Sequence, residues 1–149
     1  MEHQETLQQF LIGEIKKTGP MLDINPDKWT ITHFQVSEDG SITATGDTFQ
    51  YLGFTFDGKN AYIRPGTMSK YWRKVTFGIK RAKNRARMSA RRGGNPKVFK
   101  RKLYRTYTHL GKRNFISYAK RSQKVMGSES IRKQVKQHWE MFQEKLQEK

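Results

Sequence analysis

Between Ala61 and Met126 the chain carries 21 lysines and arginines and not one aspartate or glutamate. Few folds admit such a run. Each cationic head must reach water or an anionic partner, because burying an unpaired charge costs more than packing returns. The apolar residues must then collect on narrow faces, and their spacing here is helical. A helix face that only needs solvation mixes both signs, whereas an unbalanced field destabilises the compact state until a polyanion neutralises it. Residues 1–60 hold 4 lysines against 9 acids, and residues 61–149 hold 26 lysines and arginines against 4 acids. These halves contribute −5 and +22 to a net charge of +17. Nucleic acid is the partner this field selects, well ahead of an anionic membrane. No apolar run of about 18 residues occurs, so neither a spanning helix nor a membrane partner is expected. The polar, acidic start MEHQETLQQ is not a signal peptide. Cysteine is absent, which excludes disulfides and thiolate chemistry and fits a reducing, cytoplasmic setting.

The organisation this implies is α+β: one helix and a small antiparallel sheet, then a basic helical bundle. Leu7, Phe10, Leu11 and Ile15 form one apolar stripe of a first helix, stopped by Gly19-Pro20. Met21, Leu22 and Ile24 predict a short buried strand. Asn25-Pro26-Asp27 reads as a turn, with Trp29, Ile31 and His33 on one face of the next strand. Ser37 to Gly40 predicts a turn, SITATG and FQYLGFTF further strands, and Asp57-Gly58 a hairpin turn, before AYIRP closes the sheet. Thr67 or Ser69 is the expected N-cap of a long helix whose inner stripe is Met68, Tyr71, Trp72, Val75, Ile79, Ala82 and Ala86. Its outer face is read as wholly cationic. A second helix is expected from Pro96, with Phe99, Leu103, Tyr107 and Leu110 inward. A third is capped by Asn114 and buries Phe115, Tyr118, Ala119, Val125 and Met126. The last follows Gly127-Ser128 with Ile131, Val135, Trp139, Phe142 and Leu146 inward. The composition switch divides the chain into residues 1–64 and 65–149.

Catalytic signatures are sparse. His3, His33, His109 and His138 show no metal-ligand spacing. Asp23 and Asp27 read as turn formers. No GxxxxGK[ST] loop occurs.

The order of motifs resembles the C-terminal part of a bacterial reverse transcriptase of the group II intron, retron and phage-defence kind. GPMLDINPDKWTITHF resembles motif D, a strand and turn that presents a lysine. Tyr51-Leu52-Gly53-Phe54 resembles motif E, the primer-grip hairpin, and YAKRSQKVMGSESIRKQVKQHWEMF is similar to the thumb. The likeness covers nearly the whole chain and implies an end of palm over 1–64 and a thumb-like nucleic-acid-binding domain over 65–149. It also implies a role for Lys28 as general acid beside the leaving pyrophosphate, where negative charge develops. Trp29 departs from the smaller residues common at that position. Tyr51, Leu52, Gly53 and Phe54 would hold the primer, with Gly53 allowing close backbone approach.

Lys70, Arg73, Lys74, Lys80, Arg81, Lys83, Arg85, Arg87, Arg91 and Arg92 would follow the phosphates of an RNA template and DNA primer without reading sequence. Tyr71, Trp72, Tyr104, Tyr107 and Tyr118 could stack on bases, but their spacing assigns most of them to the core. The family's Tyr-x-Asp-Asp and motif A aspartates are missing here, so no metal site and no bound cofactor are expected in this chain. Magnesium would belong to the complete enzyme. The chain is then expected to be a truncated gene, one half of a split enzyme or an expressed domain, inactive until a fingers–palm polypeptide carrying Tyr-x-Asp-Asp complements it. The alternative is a stand-alone basic RNA- or DNA-binding protein. A third reading, a defunct remnant, would leave an exposed sheet edge open to aggregation.

Overall fold

A computed structural model describes residues 2–22, 24–25 and 30–148, the side chains of residues 2–4 excepted. The chain forms two compact units, Met1–Thr32 and His33–Lys149. In the first, helix α1 (Glu2–Thr18) ends where Gly19-Pro20 predicts, with the Thr18 hydroxyl donating to the Ile15 carbonyl at 2.7 Å. Its stripe is not covered, since Leu7, Phe10 and Leu11 are exposed. The buried strand expected over Met21–Ile24 is absent among the described residues, where Met21 and Leu22 face solvent. Asp23, Asp27, Lys28 and Trp29 lie outside the described residues.

The second unit is α+β. Its strands are β1 (His33–Val36), β2 (Ile42–Thr45), β3 (Phe49–Tyr51), β4 (Phe54–Phe56) and β5 (Ala61–Ile63). Instead of one sheet they make two, an antiparallel pair β1–β2 and an antiparallel triplet β3–β4–β5. The first begins at His33, later than Trp29 and Ile31 suggest, and turns over Ser37–Gly40, where the Asp39 carboxylate accepts from the Ser41 amide at 2.9 Å. The sheets meet where the Ala44 amide donates to the Asp57 carbonyl at 2.9 Å and the rings of Phe34 and Phe56 lie 5.8 Å apart. Gly58 makes that junction possible. It has φ 101°, and a Cβ there would overlap the Ile42 carbonyl. In the same turn the Asp57 carboxylate accepts from the amides of Asn60 (2.6 Å) and Lys59 (2.9 Å), and the Asn60 bond holds it below the usual carboxylate range.

Four helices follow: α2 (Pro65–Arg91), α3 (Lys100–Tyr107), α4 (Phe115–Met126) and α5 (Glu129–Gln147). Helix α2 starts at Pro65, not at a Thr67 or Ser69 cap. The proline ring supplies helical φ and gives up an amide that would have no partner in the first turn. Asn114 caps α4 as expected: its side chain accepts from the Ser117 amide at 2.9 Å, while its Nδ2 donates to the carbonyls of Thr108 (2.8 Å) and Arg105 (3.1 Å). Gly127, with φ 61°, closes α4, and Ser128 caps α5.

Two adjoining cores hold these elements. Phe54 and Ile63 from the triplet pack with Ile116, Ala119, Ile131 and Val135. Val75 and Ile79 pack with Leu103, Phe142 and Leu146. The expected division between 64 and 65 therefore falls inside one packed unit. Four predicted inward residues point out instead, namely Phe99, Leu110, Val125 and Met126. Phe99 precedes the first turn of α3, at φ −74° and ψ 77°, so the Leu103 stripe never reaches it.

Candidate nucleic-acid interface

The YLGF tetrapeptide is the turn of a hairpin rather than strand interior. Leu52 and Gly53 have φ of 45° and 90°, and positive φ at both central residues marks the tight turn whose twist suits a two-residue hairpin. Glycine adopts this freely and leucine does not. The Gly53 carbonyl accepts from the Arg64 amide at 2.9 Å. A Cβ on Gly53 would stand 3.3 Å from the Phe115 ring and 3.4 Å from the Thr67 methyl. The turn is thus seated on the start of α2 and of α4. Phe54 faces the core, its ring 5.5 Å from Tyr118 and 6.4 Å from Phe115. Tyr51 and Leu52 project into solvent at the tip, so they and the Gly53 backbone are the parts of the motif within reach of a ligand.

On its far edge the triplet is sealed by α5. The Gln134 side chain accepts from the Ile63 amide at 2.7 Å and donates to the Ile63 carbonyl at 3.1 Å, pairing with β5 as another strand would. The Ser128 hydroxyl donates to the Ala61 carbonyl at 2.6 Å. Neither contact is legible in the sequence, because one amide and one hydroxyl carry no periodicity.

Helix α2 carries the predicted cations. Lys70, Arg73, Lys74, Lys80, Arg81, Arg85, Arg87 and Arg91 are exposed, as is Arg92 just beyond the helix, while Val75, Ile79 and Ala86 are buried. Over 27 residues the helix is about 40 Å long, comparable to one turn of duplex. Lys83 differs from the rest. One turn past Ile79, it lies at the border of the buried stripe, and its Nζ donates to the Lys145 carbonyl at 2.9 Å and to the Glu148 carbonyl. That lysine anchors the end of α5. Nor is the outer face wholly cationic, since Phe77 and Met88 are exposed among the arginines. Phe77 is two residues from Val75 and from Ile79, which is the sequence signal that it leaves the stripe.

The tyrosines and tryptophan weighed as stacking residues are structural. Tyr71 packs against both cores, Tyr118 against the first, and Trp72, Tyr104 and Tyr107 against the second. The Tyr71 hydroxyl donates to the Thr106 carbonyl at 3.2 Å, and burial raises its pKa. His138, missed by the helical stripe, is 3% exposed between Tyr71 and Trp72. Its Nε2 lies 2.9 Å from the Tyr107 carbonyl and must carry the proton, since a carbonyl only accepts. Its Nδ1 and that of His109 are buried without a partner among the described residues. Burial, first of all, lowers both pKa values.

Among the described residues no three histidine, aspartate or glutamate side chains gather where they could hold a metal ion. No described helix is long and apolar enough to cross a membrane. No protein-family model matches the chain, and no curated protein matches it.

Proposed function

We propose that this chain contributes the primer-grip hairpin and thumb of an RNA-directed DNA polymerase of the bacterial reverse transcriptase kind. The Tyr51–Gly53 turn holds the primer terminus, and α2 lies along the RNA–DNA duplex behind it. One observation carries the reading: the cations from Lys70 to Arg91 occupy a single helix whose first turn is packed against that turn. Phosphate contacts of this kind position a duplex and carry no sequence information. Catalytic aspartates and magnesium come with a complementing fingers–palm polypeptide, in the cytoplasm. Lys28 serves the leaving pyrophosphate as general acid.

Competition binding tests this. Primed RNA–DNA hybrid with a recessed 3′ end displaces labelled hybrid more effectively than blunt hybrid of equal length. Equal displacement by both, with steep salt dependence, would instead assign the chain to stand-alone basic RNA- or DNA-binding proteins.

A further inference from the structure

Phe99 is 83% exposed, and Phe77 is 66% exposed. Phe10, Phe34 and Phe49 are exposed as well, so exposure alone decides nothing, and it is the surroundings of Phe77 and Phe99 that matter. Phe99 stands on the ridge between two grooves. One, of about 640 Å³, runs between α2 and α3 and is lined by Arg81, Arg85, Lys97 and Lys102. The other, of about 1450 Å³, runs along α3 to the start of α4 and is lined by Arg101, Arg105, Lys112 and Arg113. A third groove shares Arg81 and Arg85 and carries Phe77 at its side. The grooves are contiguous, and no acidic residue lines any of them. Asn95 steadies the approach to Phe99, its side chain accepting from the Lys97 amide at 3.0 Å.

We infer that this face is a binding site for single-stranded nucleic acid, in which an unstacked base lies on the Phe99 ring and the flanking phosphates lie in the cationic grooves. Duplex cannot use the ring, because its bases are already stacked on one another. A strand emerging from duplex can, and base–aromatic stacking is indifferent to sequence. Charge complementarity selects the occupant: an aromatic ridge between all-cationic walls matches a polyanion with exposed π-faces and no ordinary peptide. Phe77, on α2, offers a second exposed ring beside the groove that shares Arg81 and Arg85. The inference deepens the proposed function, and rests on it for the source of the strand.

The test measures binding of the full chain to three labelled probes: blunt RNA–DNA hybrid, the same hybrid with an extension of about five nucleotides, and the extension alone. Wild type binds the extended hybrid about tenfold more tightly than the blunt one. Phe99→Ala abolishes that preference without weakening blunt binding, and Phe99→Trp retains it. A 2-aminopurine in the extension is quenched by wild type and by Phe99→Trp, and not by Phe99→Ala. An unchanged preference in Phe99→Ala overturns the inference. So does a change of oligomeric state in that variant without loss of preference, which would assign Phe99 to contact between copies. If no hybrid is bound, the proposed function fails and the isolated extension decides the inference: weaker binding by Phe99→Ala supports it, equal binding overturns it.

Discussion

Leu52 holds φ at 45° in a turn where every L-residue except asparagine and aspartate is strained, while Gly53 beside it takes φ 90° without cost. Replacing Leu52 by glycine relieves the strain and stabilises the fold by about 0.5–1 kcal/mol, read as a raised urea midpoint. Because the leucine is exposed at the hairpin tip, the same variant binds primed hybrid less tightly if its side chain touches the primer. His138 sets a second expectation. Its pKa is lowered in the folded protein below its ordinary 6.5, so above that value both states are neutral and pH does not matter. As pH falls below it the unfolded chain takes up the proton first, and stability declines. Unfolding followed from about pH 7.5 to about pH 5 shows this loss, to which His109 contributes with the same sign, and His138→Gln, which keeps a donor for Tyr107, removes the share of His138 and leaves a shallower decline. The sequence showed Gly53 as special and gave no sign of His138. A conformational need leaves a glycine behind, whereas a buried histidine depends on which neighbours arrive from elsewhere.

Between the hairpin and the bundle the decisive join is a side chain acting as backbone. Gln134 satisfies both polar groups of Ile63, which is itself fully buried. Gln134→Leu keeps the volume and leaves an amide and a carbonyl unpaired, at a cost of about 2–4 kcal/mol. Chemical denaturation measures this, and an effect below about 0.5 kcal/mol would show the join to be incidental. Elements with repeated apolar spacing were legible: α5 buries Ile131, Val135, Phe142 and Leu146 as read from sequence. Ends of elements were less so. Pro65, the last residue of the AYIRP segment that closes the sheet, is also the first residue of α2, since proline suits both the end of one element and the start of the next. Phe99 and Leu110 continue the Leu103 spacing on paper, but lie beyond the turns of α3 that would bring them inward.

Taken entire, the second unit mounts a tight hairpin and a long cationic helix on shared cores. The broad pattern of sheet then basic bundle was visible in charge and periodicity. The split into two sheets and the shared cores were not, because they depend on contacts such as Ala44 with Asp57 that connect distant stretches. Helix α5 packs its buried stripe inward and leaves Lys133 and Lys136 exposed on its outer side, whereas Lys70, Lys74 and Lys80 stand on the outer side of α2. Acetylation of lysines with and without saturating primed RNA–DNA hybrid, read by mass spectrometry, separates the two. The account predicts protection of Lys70, Lys74 and Lys80 while Lys133 and Lys136 go on reacting. Equal protection of both groups, or protection of α5 alone, would contradict it.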